Sequence, residues 1–214
     1  MAITIEQARA WYASADPVHD FDHVLRVYHL AEKIARAEGA DLEIVRAAAL
    51  LHDSVGSAPG GDGQERLGHH LTSARFAGEV LAAEGWQPER IAAVQHCIRA
   101  HRYRHQGERP QTLEAKCLYD ADKLDVLGAI GAARTIAFAA LAGQPSYYEP
   151  SERFLREGKK EADEPHSSYH EYLFKLRKVK DQLFTPTGKA IAEHRHAFLT
   201  AFYAELQAEC RGER

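Results

Sequence analysis

Apolar residues recur along much of this chain at every third or fourth position, which is the period of an amphipathic α-helix. No segment shows the strict alternation of apolar and polar residues that marks a half-buried strand. Clusters of Gly and Pro separate the periodic segments, as turns between helices do. The pattern predicts an all-α protein with helices near residues 4–13, 19–38, 41–53, 67–84, 88–103, 112–126, 129–142, 167–182 and 187–209.

Two stretches interrupt the helical pattern. Residues 54–66 contain the letters SAPGGDG, and residues 144–165 are rich in Pro, Ser, Glu and Lys. Both compositions are typical of irregular chain. The first stretch directly follows a histidine and an aspartate, so the sequence leaves open whether it covers a site as a lid or only connects two helices.

Several residues of metal-binding type fall on or beside the apolar faces of the predicted helices. His23 shares its helix face with Val27, Leu30 and Ile34. Burying an unpaired carboxylate costs several kcal/mol, so such groups persist when they are paired or bind a cation. The alternatives left open are hydrogen-bonded core histidines and capping aspartates. The predicted ligands of a single divalent ion are His23, His52, Asp53 and Asp122.

The ligand chemistry narrows the choice of ion. Two imidazole nitrogens and two carboxylate oxygens, without a thiolate, suit manganese, magnesium, cobalt, nickel or iron better than structural zinc. Six-coordinate geometry would leave two positions open, one of which can hold a water whose pKa the ion lowers.

The order of these residues resembles the HD superfamily of metal-dependent phosphohydrolases. HDFDHVLRV resembles the first helix of that family, AALLHD its second and DADKLDVLGAIGAAR its fifth. The C-terminal letters SSYHEYLFKLRKVKDQLFTPTGKAIAEHR resemble the small bacterial YpgQ-type branch. The resemblance implies an all-α HD-domain helical bundle with a C-terminal helical extension. A single domain is then expected over residues 1–214, with the HD core at about 19–127 and the C-terminal helices at about 129–209.

The resemblance also implies an activity and its supporting residues. A phosphoryl oxygen would take the second open position on the ion, and in-line attack on phosphorus by the ion-activated water is expected. The best specific expectation is cleavage of a nucleoside triphosphate to a monophosphate and pyrophosphate. Lys123 is expected either to contact a phosphate or to be an exposed helix residue. His70 and His101 could reach the ligands from outside or complete a second metal site, as in binuclear members of the superfamily.

Two further charged residues are candidates from their positions. Asp125 lies one turn beyond the last predicted ligand, so it could orient a ligand imidazole or assist the attacking water. Arg134 stands in an apolar stretch, where a guanidinium needs an anionic partner such as a phosphate or an aspartate. Some HD phosphohydrolases carry a Glu shortly after the HD pair; it is absent here, which leaves the general base open.

A basic stretch and a pair of residues near the first helix complete the candidate chemistry. His19 and Asp20 resemble the opening of the family's first motif, with expected roles at the pocket edge and as a cap. The basic stretch predicts either a phosphate-binding patch or a solvated helix end. It consists of Arg99, Arg102, Arg104 and His105.

Composition restricts the partners. The formal net charge of −4 provides no basic excess for nucleic acid or for an anionic membrane. The partner that the resemblance implies is a small phosphorylated compound, most simply a nucleotide. Three cysteines without a CxxC pair indicate free thiols, and no secretory signal is evident at the start, so the expected location is the cytoplasm. The sequence leaves the oligomeric state open.

Two rival functions remain at this point. A few HD proteins hold two irons and oxidise small molecules, and such a di-iron oxygenase would need His70 and His101 as additional ligands. A non-catalytic nucleotide-binding module would bind metal and ligand without turnover. Metal content together with product release distinguishes these rivals from a phosphohydrolase.

Overall fold

The computed structural model describes residues 2–12, 21–55, 63–103 and 107–214, with the backbone alone over 63–67. Regular structure in these ranges is helical and includes no strand, which confirms the predicted all-α class. Interpretations placed on His19, Asp20, Arg104 and His105 lie outside the described residues. The α-helices are α1 Ile5–Arg9, α2 Phe21–Glu38, α3 Leu42–Leu51, α4 Gly63–Ala83, α5 Pro88–Ala100, α6 Leu113–Leu124, α7 Gly128–Leu141, α8 Glu152–Glu157, α9 Ser168–Phe174 and α10 Pro186–Cys210, and a 3-10 helix covers Leu176–Gln182.

Two predicted segments differ from the structure. The stretch 144–165 was expected to be irregular, yet it contains the short helix α8, which Ser151 caps by accepting from the Phe154 N–H at 3.1 Å. The single helix expected over 167–182 is instead α9 followed by the 3-10 helix. The α-helix ends because Lys175 takes the non-helical angles φ −123° and ψ −57°.

The chain forms two compact units. The first unit comprises Met1–Asp122 and Leu183–Gly188, and the second comprises Lys123–Gln182 and Lys189–Arg214. Among the described residues, no single helix is both long and apolar enough to cross a membrane, and α6 and α7 meet that requirement only when taken together as a bent pair.

The core of the first unit centres on α3, which contacts both α2 and α5. The predicted inward face of α2 is buried at Val27 and Ile34, whereas Leu30 is half-exposed. Asp41 caps the start of α3 by accepting from two backbone N–H groups at 3.0 and 3.2 Å. The same carboxylate accepts two hydrogen bonds from Arg90 of α5, at 2.9 and 3.2 Å, and so ties these two helices together.

Asp120 holds the segment 183–188 against α6. Its buried carboxylate accepts from the N–H groups of Phe184 at 2.9 Å and of Thr185 at 2.7 Å, and from the Thr185 hydroxyl at 2.7 Å. A Cβ at Gly188 would lie 2.4 Å from an oxygen of this carboxylate, so the contact requires glycine there. Asp120 therefore has a structural role within the first unit.

In the second unit α7 contacts α9, and the rings of Tyr172 and Tyr203 stack with centroids 4.4 Å apart. A buried polar network lies nearby in the same unit. Nε2 of His170 donates to Glu164 at 2.9 Å, and the Ser167 hydroxyl lies 2.6 Å from Nδ1 of the same ring. Glu164 also accepts from the backbone N–H of Ser151 at 2.8 Å, which connects the network to the start of α8.

Candidate metal centre

His52 presents an imidazole in the form that binds metal ions. It follows the last residue of α3, and its Nδ1 lies 2.8 Å from the carbonyl oxygen of Ala49. A carbonyl only accepts, so Nδ1 carries the proton and Nε2 carries a lone pair. That Nε2 is buried and has no hydrogen-bond partner among the described residues. Burial also lowers the pKa of His52 to about 4, so the ring is neutral at neutral pH.

Two further predicted ligands, His23 and Asp53, come close to this nitrogen, and Asp122 lies beside His23. Oδ2 of Asp53 lies 3.6 Å from His52 Nε2 and 4.0 Å from His23 Nε2. Oδ1 of Asp122 lies 3.6 Å from the same His23 nitrogen. Helices α2, α3 and α6 thus bring two imidazoles and two carboxylates to one place in the first unit, with His23 and His52 almost fully buried.

The second oxygen of Asp53 faces two other histidines. Oδ1 lies 3.0 Å from Nε2 of His69 and 3.4 Å from Nε2 of His101. Burial raises the pKa of Asp53, but the imidazoles around it, His52 foremost, outweigh burial and hold that pKa well below the ordinary value. Asp53 is therefore a carboxylate at neutral pH, with imidazoles on both of its oxygens.

His101 repeats the arrangement of His52. It follows the last residue of α5, and its Nδ1 lies 2.6 Å from the carbonyl oxygen of Ile98. The carbonyl again requires a proton on Nδ1, and in the neutral ring this leaves the lone pair on Nε2, the nitrogen that faces Asp53. Both histidines thus use one nitrogen to satisfy a carbonyl at the end of their own helix and offer the other to the site.

His70, predicted from the apolar stripe of α4, does not join this group. Its neighbour His69 does, because adjacent residues lie about 100° apart around a helix and His69 is the one directed at Asp53. His70 is half-buried, and burial lowers its pKa to about 4. The HH pair in the sequence was the signal for His69, but the stripe through Ala74 and Ala77 selected His70.

Sequence reasoning also missed Tyr12 at the edge of the site. Its hydroxyl donates to the carbonyl oxygen of Leu50 at 2.9 Å. Burial, followed by the charge of Asp53, raises the pKa of Tyr12 well above its ordinary value. The tyrosine is therefore a neutral donor that fixes the last turn of α3 beside His52. The packing of α1 against α3 reveals this role of Tyr12. The position of Tyr12 in the sequence pattern does not indicate it.

Three other predicted residues belong to the second unit: Lys123, Asp125 and Arg134. Arg134 donates to the buried carboxylate of Asp125, which provides the anionic partner that its apolar surroundings require. Of the two partners left open by the sequence, the structure shows the aspartate. Asp125 thus has a guanidinium partner within its own unit.

The donor atoms fall into two overlapping groups whose members lie within 4.8 Å of one another: His23, His52 and Asp53 in the first, and Asp53, His69 and His101 in the second. The first group, with the nearby Asp122, offers the oxygen and nitrogen donors that suit a divalent ion. The buried, unpartnered nitrogen of His52 is a direct sign of fit, because a cation would satisfy it.

Comparison with known proteins identifies the family of the chain. The profile of the HD domain family matches residues 20–127, the range that contains all four predicted ligands. The chain belongs to the HD domain family. The YpgQ protein of Bacillus subtilis is 34% identical over 215 residues, which cover 97% of this chain and 94% of YpgQ. The resemblance predicted from the sequence is therefore confirmed.

Solved structures of HD-family proteins have the same fold. The crystal structure of Bacillus subtilis YpgQ in complex with ADP is 31% identical, covers 96% of this chain and 97% of its own, and superimposes with a TM-score of 0.73. An HD-superfamily hydrolase from Bacillus thuringiensis is 28% identical, with a TM-score of 0.69 and coverage of 97% and 93% of the two chains.

Proposed function

We propose that this HD-family chain is a divalent-metal-dependent phosphohydrolase that cleaves nucleoside triphosphates to monophosphate and pyrophosphate. One observation carries the proposal: the buried, unpartnered Nε2 of His52 lies among the donors of His23, Asp53 and Asp122. Two imidazoles and two carboxylates form a ligand set for a hard or borderline divalent ion, without a thiolate.

Each residue of the site has a defined task in this proposal. His23, His52, Asp53 and Asp122 hold the ion, which when bound lowers the pKa of a water and offsets charge on a phosphoryl group. The carbonyl of Ala49 keeps the proton of His52 on Nδ1, so that the lone pair of Nε2 is available to bind the ion. The low pKa of Asp53 keeps that ligand ionised at neutral pH.

The nucleotide part of the proposal rests on similarity. YpgQ of Bacillus subtilis, 34% identical over nearly the whole chain, has been crystallised in complex with ADP. An adenine nucleotide bound to so similar a protein favours a nucleotide substrate for this chain. The phosphate contacts predicted for Lys123 and Arg134, and the proton-transfer role predicted for Asp125, stay predictions.

The test is hydrolysis of a panel of phosphorylated compounds with manganese, magnesium, cobalt, nickel or iron, with orthophosphate and pyrophosphate detected separately. We expect pyrophosphate release from nucleoside triphosphates, and its loss on chelation of the ion. Orthophosphate release alone would contradict the proposed cleavage position. About two irons per chain with oxidation and no phosphate release would instead indicate a di-iron oxygenase, and nucleotide binding without turnover a binding module.

The site assignment has a matched control within α2. His23→Ala removes a buried predicted ligand, whereas His29→Ala removes an exposed histidine of the same helix. We expect His23→Ala to lower activity by more than about 100-fold, beyond the loss typical of residues outside the ligand set, and to lower bound metal with it. His29→Ala should keep both. Equal activity and metal content in the two variants would exclude His23 from the site.

A further inference from the structure

His69 carries its ring proton on the opposite nitrogen from His52 and His101. Nη1 of Arg102 lies 2.9 Å from Nδ1 of His69. A guanidinium has N–H donors and no acceptor, so Nδ1 of His69 must accept and cannot carry a proton. The proton of the neutral ring is therefore on Nε2, the nitrogen 3.0 Å from Oδ1 of Asp53.

This assignment changes what the second group of donors can do. The positions of Asp53, His69 and His101 satisfy the spacing of a metal site, and the Nε2 of His101 offers a lone pair. A histidine ligand needs a lone pair at the coordinating atom, however, and the Nε2 of His69 holds an N–H instead. His69 thus presents an N–H, and no lone pair, to the side of the site where Asp53 lies.

The charge of Arg102 also disfavours a second ion between Asp53, His69 and His101. Its guanidinium is permanently charged and lies one imidazole ring away from the space between these donors. A second divalent ion there would be repelled by that charge in a partly buried site, where electrostatic interactions are weakly screened.

We propose that Arg102 holds the ring proton of His69 on Nε2, the nitrogen that faces Asp53, and that this arrangement limits the chain to one divalent ion. The inference rests on the proposed function, because it takes the four ligands of the first site as given. Arg102 acts here through His69 and is a positioning residue. This positioning role requires no direct contact between Arg102 and the ion.

The first test reads the ring protons directly. Long-range proton–nitrogen NMR of the metal-free full chain, labelled with ¹⁵N-histidine, distinguishes the two neutral forms of each ring. Single His→Gln variants assign the signals. We expect Nε2–H for His69 and Nδ1–H for His52 and His101. An Nδ1–H form of His69 in the wild-type chain would overturn the inference.

The second test counts ions. We expect titration with Mn²⁺ to give one ion per chain for the wild type and for Arg102→Lys, which keeps an N–H donor and a charge. Arg102→Leu should bind two, and the double variant Arg102→Leu/His69→Gln one again. Circular dichroism and thermal melts establish whether each variant folds. If Arg102→Leu does not fold, the NMR result on the wild type decides whether the inference holds.

The outcomes separate this inference from the proposed function. Two ions in the wild type, or one ion in folded Arg102→Leu, would overturn the role of Arg102. If the single ion survives in His52→Ala, the site of the proposed function is itself wrong. If it is lost in His52→Ala while Arg102→Leu also binds one ion, only the inference on Arg102 fails.

Discussion

The Nε2 of His52 is the residue-scale feature on which the proposed metal site depends. Leaving a buried polar atom without a partner costs about 1–3 kcal/mol, and here the neighbouring donors are positioned so that a cation would remove that cost. The ring is neutral because burial lowers its pKa to about 4, so no proton competes with an ion at neutral pH.

Metal binding should therefore stabilise the fold through His52. An ion at about 100 times its Kd stabilises a protein by about 2.7 kcal/mol, which corresponds to a rise in Tm of roughly 5–10 °C at this chain length. We expect Mn²⁺ to raise the Tm of the wild type and of His29→Ala in differential scanning fluorimetry. His52→Ala should show no such rise; an equal rise in that variant would remove His52 from the site.

Glu164 leads to a second residue-scale prediction, in the second unit. Burial raises its pKa, but the hydrogen bonds from Ser151 and His170 outweigh burial and lower that pKa from 4.5 to about 2. A carboxylate whose pKa is lowered by folding stabilises the fold above its unfolded pKa, and this contribution is lost as the pH falls toward 2. Glu164→Gln should lower stability at pH 7 and approach the wild type between pH 4.5 and 2.

Urea unfolding across that pH range measures the effect, with the exposed Glu209→Gln as the matched control. The control should follow the wild type at every pH. A difference between Glu164→Gln and the wild type that stays constant from pH 7 to pH 2 would show that the charge of Glu164 is not what the network stabilises.

At the scale of elements, the C-terminal ends of two helices position histidines of the candidate site. His52 and His101 each stand just past the last residue of a helix, where their Nδ1 atoms satisfy carbonyls of the final turn. Asp41 and Arg90 join α3 and α5 near their starts, so the two helices and the histidines at their far ends keep a constant relation. The donors are thus supported by helices rather than by mobile loops.

The junction of α6 with the start of α10 provides a prediction at this scale. Gly188→Ala would place a methyl group 2.4 Å from Asp120, so we expect a loss of about 1–3 kcal/mol in the free energy of unfolding. Gly68→Ala is the control, because no described atom lies within 4 Å of its added Cβ within α4. Gly68→Ala should raise the free energy of unfolding by about 0.5–1 kcal/mol, because alanine favours the helix more than glycine does.

Urea unfolding of both alanine variants measures the difference. Similar stabilities for Gly188→Ala and Gly68→Ala would mean that the Asp120 contact is soft and does not hold the segment 183–188 in place. A loss confined to Gly188→Ala supports the tight junction.

How far the sequence predicts the structure depends on the length of the pattern. The long amphipathic helices α2, α5 and α7 were predicted to within a few residues because their apolar stripes run over three or more turns. The six-residue α8 was not predicted, because so short a helix depends on tertiary contacts such as the Ser151–Glu164 pair rather than on its own period.

The same limit applies within the site. The sequence order of His23, His52, Asp53 and Asp122 resembles the family closely enough to predict a common centre. The choice between His69 and His70 turns on a rotation of about 100°, which a stripe of small apolar residues does not resolve. The contact of Arg102 with His69 depends on how α4 packs against α5, which sequence spacing does not determine.

At the scale of the whole molecule, Lys123 follows the predicted ligand Asp122 in α6 but is not itself a metal ligand, because a lysine ammonium has only hydrogen-bond donors. Ion binding and phosphate contact should therefore be separable. We expect Lys123→Ala to lower kcat/KM for a nucleoside triphosphate by about 10–100-fold, the loss typical of a charge-assisted hydrogen bond, with metal content unchanged. Lys116→Ala, on the same helix α6, is the control and should retain kcat/KM.

Steady-state kinetics with metal analysis measure both quantities for each variant. Unchanged kcat/KM in Lys123→Ala would withdraw the phosphate role and leave the lysine as a solvated helix residue. Loss of metal in the same variant would assign it to the support of the ion rather than to the substrate.

The most direct measurement is anomalous diffraction at the manganese edge from crystals of this chain grown with Mn²⁺. The account predicts one strong anomalous peak per chain, within coordination distance of Nε2 of His23 and His52 and of the carboxylates of Asp53 and Asp122. A peak elsewhere, or no peak among these four residues, would contradict the metal centre on which the proposed hydrolysis depends.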